Sequence, residues 1–220
     1  LLSAQRFNIR AGGSTEAGNA SFGTAVEVDG VRLSNNASFS GANGATVNNI
    51  ASSNVESVEV ISGVPSVEYG DVGAGIVKVN TKRGIAPYVV TMTTNPKTKQ
   101  FSVSKGFGLG QTRRGNSAGV LNASAEYTYS VEDSRSPYTS YDRKQISLIY
   151  SNLFNSGIFS DTPLRFSAGV TGNLGGSDSK ADPDLLSGTY EKQRDNTLRA
   201  NIEASWLLSK PWITNLEFKG

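Results

Sequence analysis

The chain has 220 residues, enough for one large domain or two small ones, with 18% charged residues, 24 glycines and a net charge of +2. It contains no Cys and no His, which excludes Cys nucleophiles, His-based triads, His/Cys zinc sites and a disulfide framework, and leaves only oxygen ligands for a metal. The near-neutral charge leaves no nucleic-acid footprint, and without a run of about 18 apolar residues a membrane role has to come through a β-barrel.

Residues 1 to about 85 read as a small mixed α/β unit. Phe7-Asn8-Ile9-Arg10 is a short strand running into the turn Ala11-Gly12-Gly13. Thr24 to Val28 alternates and meets Asp29-Gly30, a strong hairpin signal, with Val31 and Leu33 on the return. Thr46 to Ala51 suits a helical turn or two. Val55 to Ile61 is a strand with Val55, Ser57, Glu59 and Ile61 on one side and Glu56, Val58 and Val60 on the other. A turn-rich stretch from Ser62 to Gly75 then leads into a second strand, Ile76 to Thr81.

Beyond Pro87 the pattern changes to about seven long segments, near 88–94, 98–109, 119–130, 142–153, 163–174, 193–206 and 211–220. Leu121, Ala123, Ala125, Tyr127 and Tyr129 share one face, with Asn122, Ser124, Glu126 and Thr128 on the other. Ile146, Leu148 and Tyr150 oppose Gln145, Ser147 and Ser151, with Ile149 breaking the rule. Leu164, Phe166, Ala168 and Val170 oppose Arg165, Ser167, Gly169 and Thr171. Leu198, Ala200, Ile202, Ala204 and Trp206 oppose Arg199, Asn201, Glu203 and Ser205.

Such alternation fits both a soluble sandwich and a membrane barrel. Three features favour the barrel. Most of the segments run about 10–14 residues, nearer the ~9–11 of membrane strands than the ~5–6 of soluble ones. The aromatics Tyr127, Tyr129, Tyr150, Trp206 and Trp212 are placed as a membrane-interface girdle would need them. Residues 175–192 read as a long polar loop and 207–210 as a tight turn, the long-short rhythm of outer loops and periplasmic turns. Seven strands do not close a bacterial outer-membrane barrel. An open edge in lipid would leave backbone groups unsatisfied at several kcal/mol each, roughly tens in total. The expectation is therefore of further sequence beyond both ends.

The stretch Val55-Glu56-Ser57-Val58-Glu59-Val60, then Gly63, Pro65, Ser66, Tyr69-Gly70, Gly73, Gly75, Val77, Val79 and Thr81-Lys82, resembles the end of the TonB-dependent receptor plug domain. Phe7-Asn8-Ile9-Arg10 and Val26-Glu27-Val28-Asp29-Gly30-Val31 resemble that family's Ile-Arg and Val-Asp-Gly hairpin segments, in the same order. Two positions depart: Ala11 stands where the family usually has Gly, and Lys78 where Asn is frequent. The resemblance implies a mostly β protein. The C-terminal part of a small α/β plug (1–86) would be followed by the first strands of an antiparallel transmembrane β-barrel (87–220), of about 22 strands in the full-length family. The implied plug-motif residues are Arg10, Asp29, Gly30, Glu56, Glu59, Gly63, Pro65, Tyr69, Gly70, Gly75, Thr81 and Lys82. The implied function is active import of a siderophore, glycan, peptide or vitamin across the bacterial outer membrane, without catalysis. The implied partners are TonB of the inner-membrane complex, outer-membrane lipids, the imported ligand and, as in receptors of the Bacteroidota type, a surface lipoprotein lid. Alternative readings are a plugged barrel with a structural or secretion-associated role, and a soluble β-rich binding module.

Glu126, Arg165, Arg199 and Glu203 would point into the lumen, and Arg10, Arg32 and Arg83 lie in the plug segment; ion pairs between the two sets that retain the plug are one reading, and simply hydrated lumen charges are the more common one. No cofactor is expected. Asp178, Asp182 and Asp184 are oxygen ligands suited to calcium, but an Asp-x-Asp-x-Asp-Gly loop is missing and a solvated outer loop is the preferred reading. Gly106-Phe107-Gly108-Leu109-Gly110 lacks nucleotide-loop spacing and reads as a strand with small lumen-facing residues. Asn19, Asn36 and Asn122 head glycosylation-like triplets that carry no meaning in a bacterial barrel.

Overall fold

The structure is a computed structural model that describes residues 24–33, 50–62, 75–112, 116–181, 188 and 190–220. They form two compact units divided between Lys82 and Arg83.

In the first unit β1 (Thr24–Val28) and β2 (Val31–Arg32) form a hairpin about Asp29-Gly30. Both turn residues have positive φ, 50° at Asp29 and 82° at Gly30, which is what a two-residue turn compatible with strand twist demands. β3 (Val55–Ser62) and β4 (Gly75–Thr81) complete a sheet of order β2-β1-β4-β3. β1 lies parallel to β4, and β3 antiparallel to it. The core is Val26, Val28, Val77 and Val79, with Leu33, Ile50 and Val55 packed against it. Asp29 ties the hairpin to the end of β4: its two carboxylate oxygens accept from Thr81 N at 2.9 Å and Thr81 Oγ1 at 2.8 Å. Of the expected helix at 46–51, residues 46–49 lie outside the described residues, and Ile50 and Ala51 are not helical. The local element is a single 3-10 turn, Ser52–Asn54. Two serines and an asparagine before a β-branched run prefer a turn to a helix.

The second unit is one antiparallel sheet. β5 (Ala86–Thr94), β6 (Thr98–Gly108), β7 (Val120–Val131), β8 (Thr139–Phe154) and β9 (Leu164–Ser179) follow each other as neighbours, and β11 (Thr197–Lys210) and β12 (Ile213–Lys219) continue the meander. β10 (Glu191–Arg194) pairs with the far end of β9. Arg194 faces Gly176 and Thr197 faces Asn173, so β10 and β11 are two parts of one register line interrupted at Asp195-Asn196. Among the described residues the sheet does not close, β5 and β12 being its edges.

Two sequence expectations need correcting. The long loop is not 175–192, since β9 runs to Ser179 and β10 starts at Glu191. Gly175, Gly176 and Asp178 are weak strand formers, but β8 extends alongside and supplies partners for all of them. The tight turn is not at 207–210, which belongs to β11, but at Pro211-Trp212. Pro211 pre-sets a turn φ, and a bulge at Leu207–Lys210 with Ser209 at φ 51° absorbs the register change.

Candidate functional site: the polar face of the second sheet

Residues paired across an antiparallel ladder point to the same side, so register assigns the two faces of the second sheet. One row runs Ser102, Glu126, Gln145, Asn173 and the next Ser104, Ser124, Ser147, Thr171. The opposite side carries Val103, Ala125, Ile146, Gly172, Leu198 and then Lys105, Ala123, Leu148, Val170, Ala200. Burial is inverted relative to a soluble sheet. Glu126 and Gln145 are each 5% exposed, whereas Ile146 is 63% and Leu198 79% exposed. The polar face is sheltered and the apolar face is open. Ile149, the exception to the sequence alternation, is buried on the polar side in line with Asn122 and Gly169; glycine opposite leaves it room.

The polar face is cross-linked. Arg143 and Glu126 form a buried ion pair across β7 and β8, and Thr128 Oγ1 donates to the same Glu126 oxygen at 3.3 Å. Ser147 and Thr171 hydroxyls meet at 2.9 Å, and Asn173 Nδ2 donates to Thr197 Oγ1 at 3.0 Å. Removing two charges from water is costly unless they are paired and further bonded, and Glu126 and Arg143 meet that condition. At β11, Arg83 Nη1 meets Glu203 Oε2 at 3.0 Å, both half-buried. Gln145 Oε1, Ser167 Oγ and Asn201 Nδ2 are buried acceptors or donors with no hydrogen-bond partner among the described residues.

Aromatic rings border the apolar face. Towards the 109–119 and 155–163 connections, Tyr150 packs on Phe166 at 6.3 Å and its hydroxyl donates to Ala118 O at 3.0 Å. Trp206 packs on Phe159 at 5.9 Å and its Nε1 donates to Thr162 O at 3.1 Å. Trp212 stands in the β11–β12 turn, 82% exposed. Tyr127 and Tyr129 lie on the same face near the other end of β7. Each hydrogen-bonded ring has an apolar body on the face and a polar tip toward the strand ends, the arrangement of an amphipathic boundary.

Of the expected ion-pair residues, Arg83 and Glu203 come together, but both belong to the second unit, so the pair does not join the two units. Glu126 is paired instead with Arg143, which the sequence reading passed over. Arg143 has the same parity as Gln145 and Ser147, so extending that alternation by one more position would have found it. Arg165 is exposed opposite Leu153 and Ser205, and Arg199 is half-buried opposite Thr171. Arg32 sits on β2, and Arg10 lies outside the described residues. Of the plug-motif residues, Asp29, Gly75 and Thr81 are buried, Glu56 and Glu59 are exposed on β3, and Lys82 Nζ donates to Ser53 O at 2.7 Å. Gly63, Pro65, Tyr69 and Gly70 lie outside the described residues. Asp178 is in β9 opposite Ser140 and Lys192 rather than in a loop, while Asp182 and Asp184 are outside the described residues. Among the described residues no three carboxylates gather as a metal site, and no helix is long and apolar enough to cross a membrane.

A family model, the TonB-dependent Receptor Plug Domain, matches residues 2–77. No curated protein and no solved structure matches the chain.

Proposed function

We propose that residues 2–77, which match the plug-domain model, are the plug of an outer-membrane receptor that imports a nutrient, and that the second unit is the start of its transmembrane β-barrel. The inverted sheet carries this reading. An apolar face open to the surroundings is unfavourable in water at roughly 25 cal/mol per Å², whereas against lipid it is the required solution. On β8 the apolar stretch of that face runs from Ile146 to Tyr150, with Lys144 and Asn152 at its ends. From Lys144 to Asn152 the eight residue steps of about 3.4 Å, tilted by about 40°, rise roughly 20 Å along the membrane normal. The polar residues that bound the stretch therefore stand nearly as far apart as the edges of the ~25 Å apolar band of such barrels. The aromatic pairs at the strand ends fit the interfacial girdle. The polar face, with Glu126–Arg143 at its centre, then lines the lumen beside which a ligand travels.

In this reading the chain performs no bond-making chemistry. Ligand binds from outside, TonB transmits inner-membrane energy to the plug, and plug displacement opens the polar path. Siderophores, glycans, peptides and vitamins are all compatible cargo. The test is genetic. A strain lacking the full-length protein and a strain lacking TonB are grown on a panel of ferric siderophores, glycans, peptides and cobalamin. A shared defect on one nutrient is expected. Wild-type growth of the deletion strain on every nutrient, or a defect that is absent without TonB, overturns import.

A further inference from the structure

We infer that Arg83–Ile85 form a strap seated on the polar face of the second sheet, so that the chain leaving the plug is anchored at Arg83 and any plug displacement hinges before it. Three contacts from three strands support the seat. Arg83 is held by Glu203 of β11 at 3.0 Å. Asn122 of β7 embraces the Gly84 peptide on both sides: with its amide turned as the partners require, Nδ2 donates to Gly84 O at 2.8 Å and Oδ1 accepts from Gly84 N at 3.2 Å. Gly106 of β6 provides the floor, because a Cβ there would overlap the Gly84 carbonyl oxygen and come within 2.7 Å of Ala86 N. Gly108, next on the same face, carries Ile85 above it, whose Cδ1 would lie 2.9 Å from an added Cβ.

The two glycines therefore make a side-chain-free track on β6, which gives the Gly106–Gly110 run a structural role in place of a nucleotide loop. Gly84 itself sits at φ 110°, a conformation that other residues rarely adopt. A strap held by a bidentate amide and an ion pair is fixed to the sheet, whereas Lys82 belongs to the first unit. The mechanical consequence, that force on the plug stops at Arg83, rests on the import reading; the seat does not.

Hydrogen exchange of the full-length protein in detergent tests the seat directly. The Gly84 amide is expected to exchange far more slowly than an unstructured glycine. Asn122→Ala and Gly106→Ala are each expected to speed it about tenfold while peptides of β8 and β9 keep their wild-type rates. Glu203→Gln is expected to give a smaller increase. Gly84 exchanging at the unstructured rate in the unmodified protein overturns the strap, as does an Asn122→Ala protein with unchanged Gly84 exchange. If a variant fails to fold, shown by loss of its heat-modifiable gel shift, the unmodified protein's own rate decides. Because growth plays no part in this readout, failure of the strap and failure of import are separable.

Discussion

In the first unit Val26, Val28, Val77 and Val79 turn into a common core, and Glu56 and Glu59 on β3 stand in the open. In the second, Glu126, Arg143 and Gln145 are buried, and Ile146, Leu148 and Val170 stand in the open. Both sheets are built from the same two-residue period, yet the first hides the valines of β1 and β4, leaving Val58 and Val60 of β3 open, and the second hides its polar residues. The period fixes that a sheet has two unlike faces. What lies against each face decides which of them must be apolar, and water and lipid give opposite answers.

The largest effect is expected at the buried ion pair. Glu126→Ala removes the carboxylate that pairs with Arg143 and should cost about 3–5 kcal/mol in a urea titration of the protein in lipid vesicles. Replacing both residues with Leu should recover most of that loss, and no recovery would show that the polar face itself is required. A charge on the other face comes next. Leu148→Arg should cost about 2–4 kcal/mol in vesicles, and an effect below about 0.5 kcal/mol would break the contrast, since an exposed position in water tolerates arginine. Within the first unit, Asp29→Ala removes both bonds to Thr81 and should cost about 1.5–3 kcal/mol by thermal denaturation. Smallest is Lys219→Ala, whose partner Glu217 lies 3.7 Å away with both side chains exposed. It should change stability by less than about 0.5 kcal/mol, and a larger loss would mean that this exposed pair carries more than a surface ion pair does.

Much of this was legible in the residues. Asp29-Gly30 announced the hairpin, and the alternation of Asn122 to Tyr129 announced β7 with both faces correctly sorted. The plug pattern pointed to the family that residues 2–77 match. Strand ends were harder. Gly175 to Ser179 have no apolar alternation of their own, and they pair because β8 already reaches that far. Ser209 and Pro211 moved the last turn by way of a bulge that no local pattern signals. The strap was illegible for a different reason. Gly84, Gly106, Asn122 and Glu203 are far apart in sequence, and each read alone is an ordinary loop glycine, a strand glycine, an amide or a hydrated acid.

The most direct test is a cysteine scan of β8, these 220 residues having no native cysteine and any elsewhere in the full-length protein being replaced by serine. Single cysteines from Gln145 to Tyr150 in the full-length protein would carry a fluorophore, challenged in native membranes by a lipid-phase quencher and by an aqueous one. Lipid quenching at 146, 148 and 150, with aqueous quenching or protection at 145, 147 and 149, is the expected result. Uniform quenching by the aqueous agent, or alternation with the opposite phase, would contradict a lipid-facing apolar side and with it the barrel.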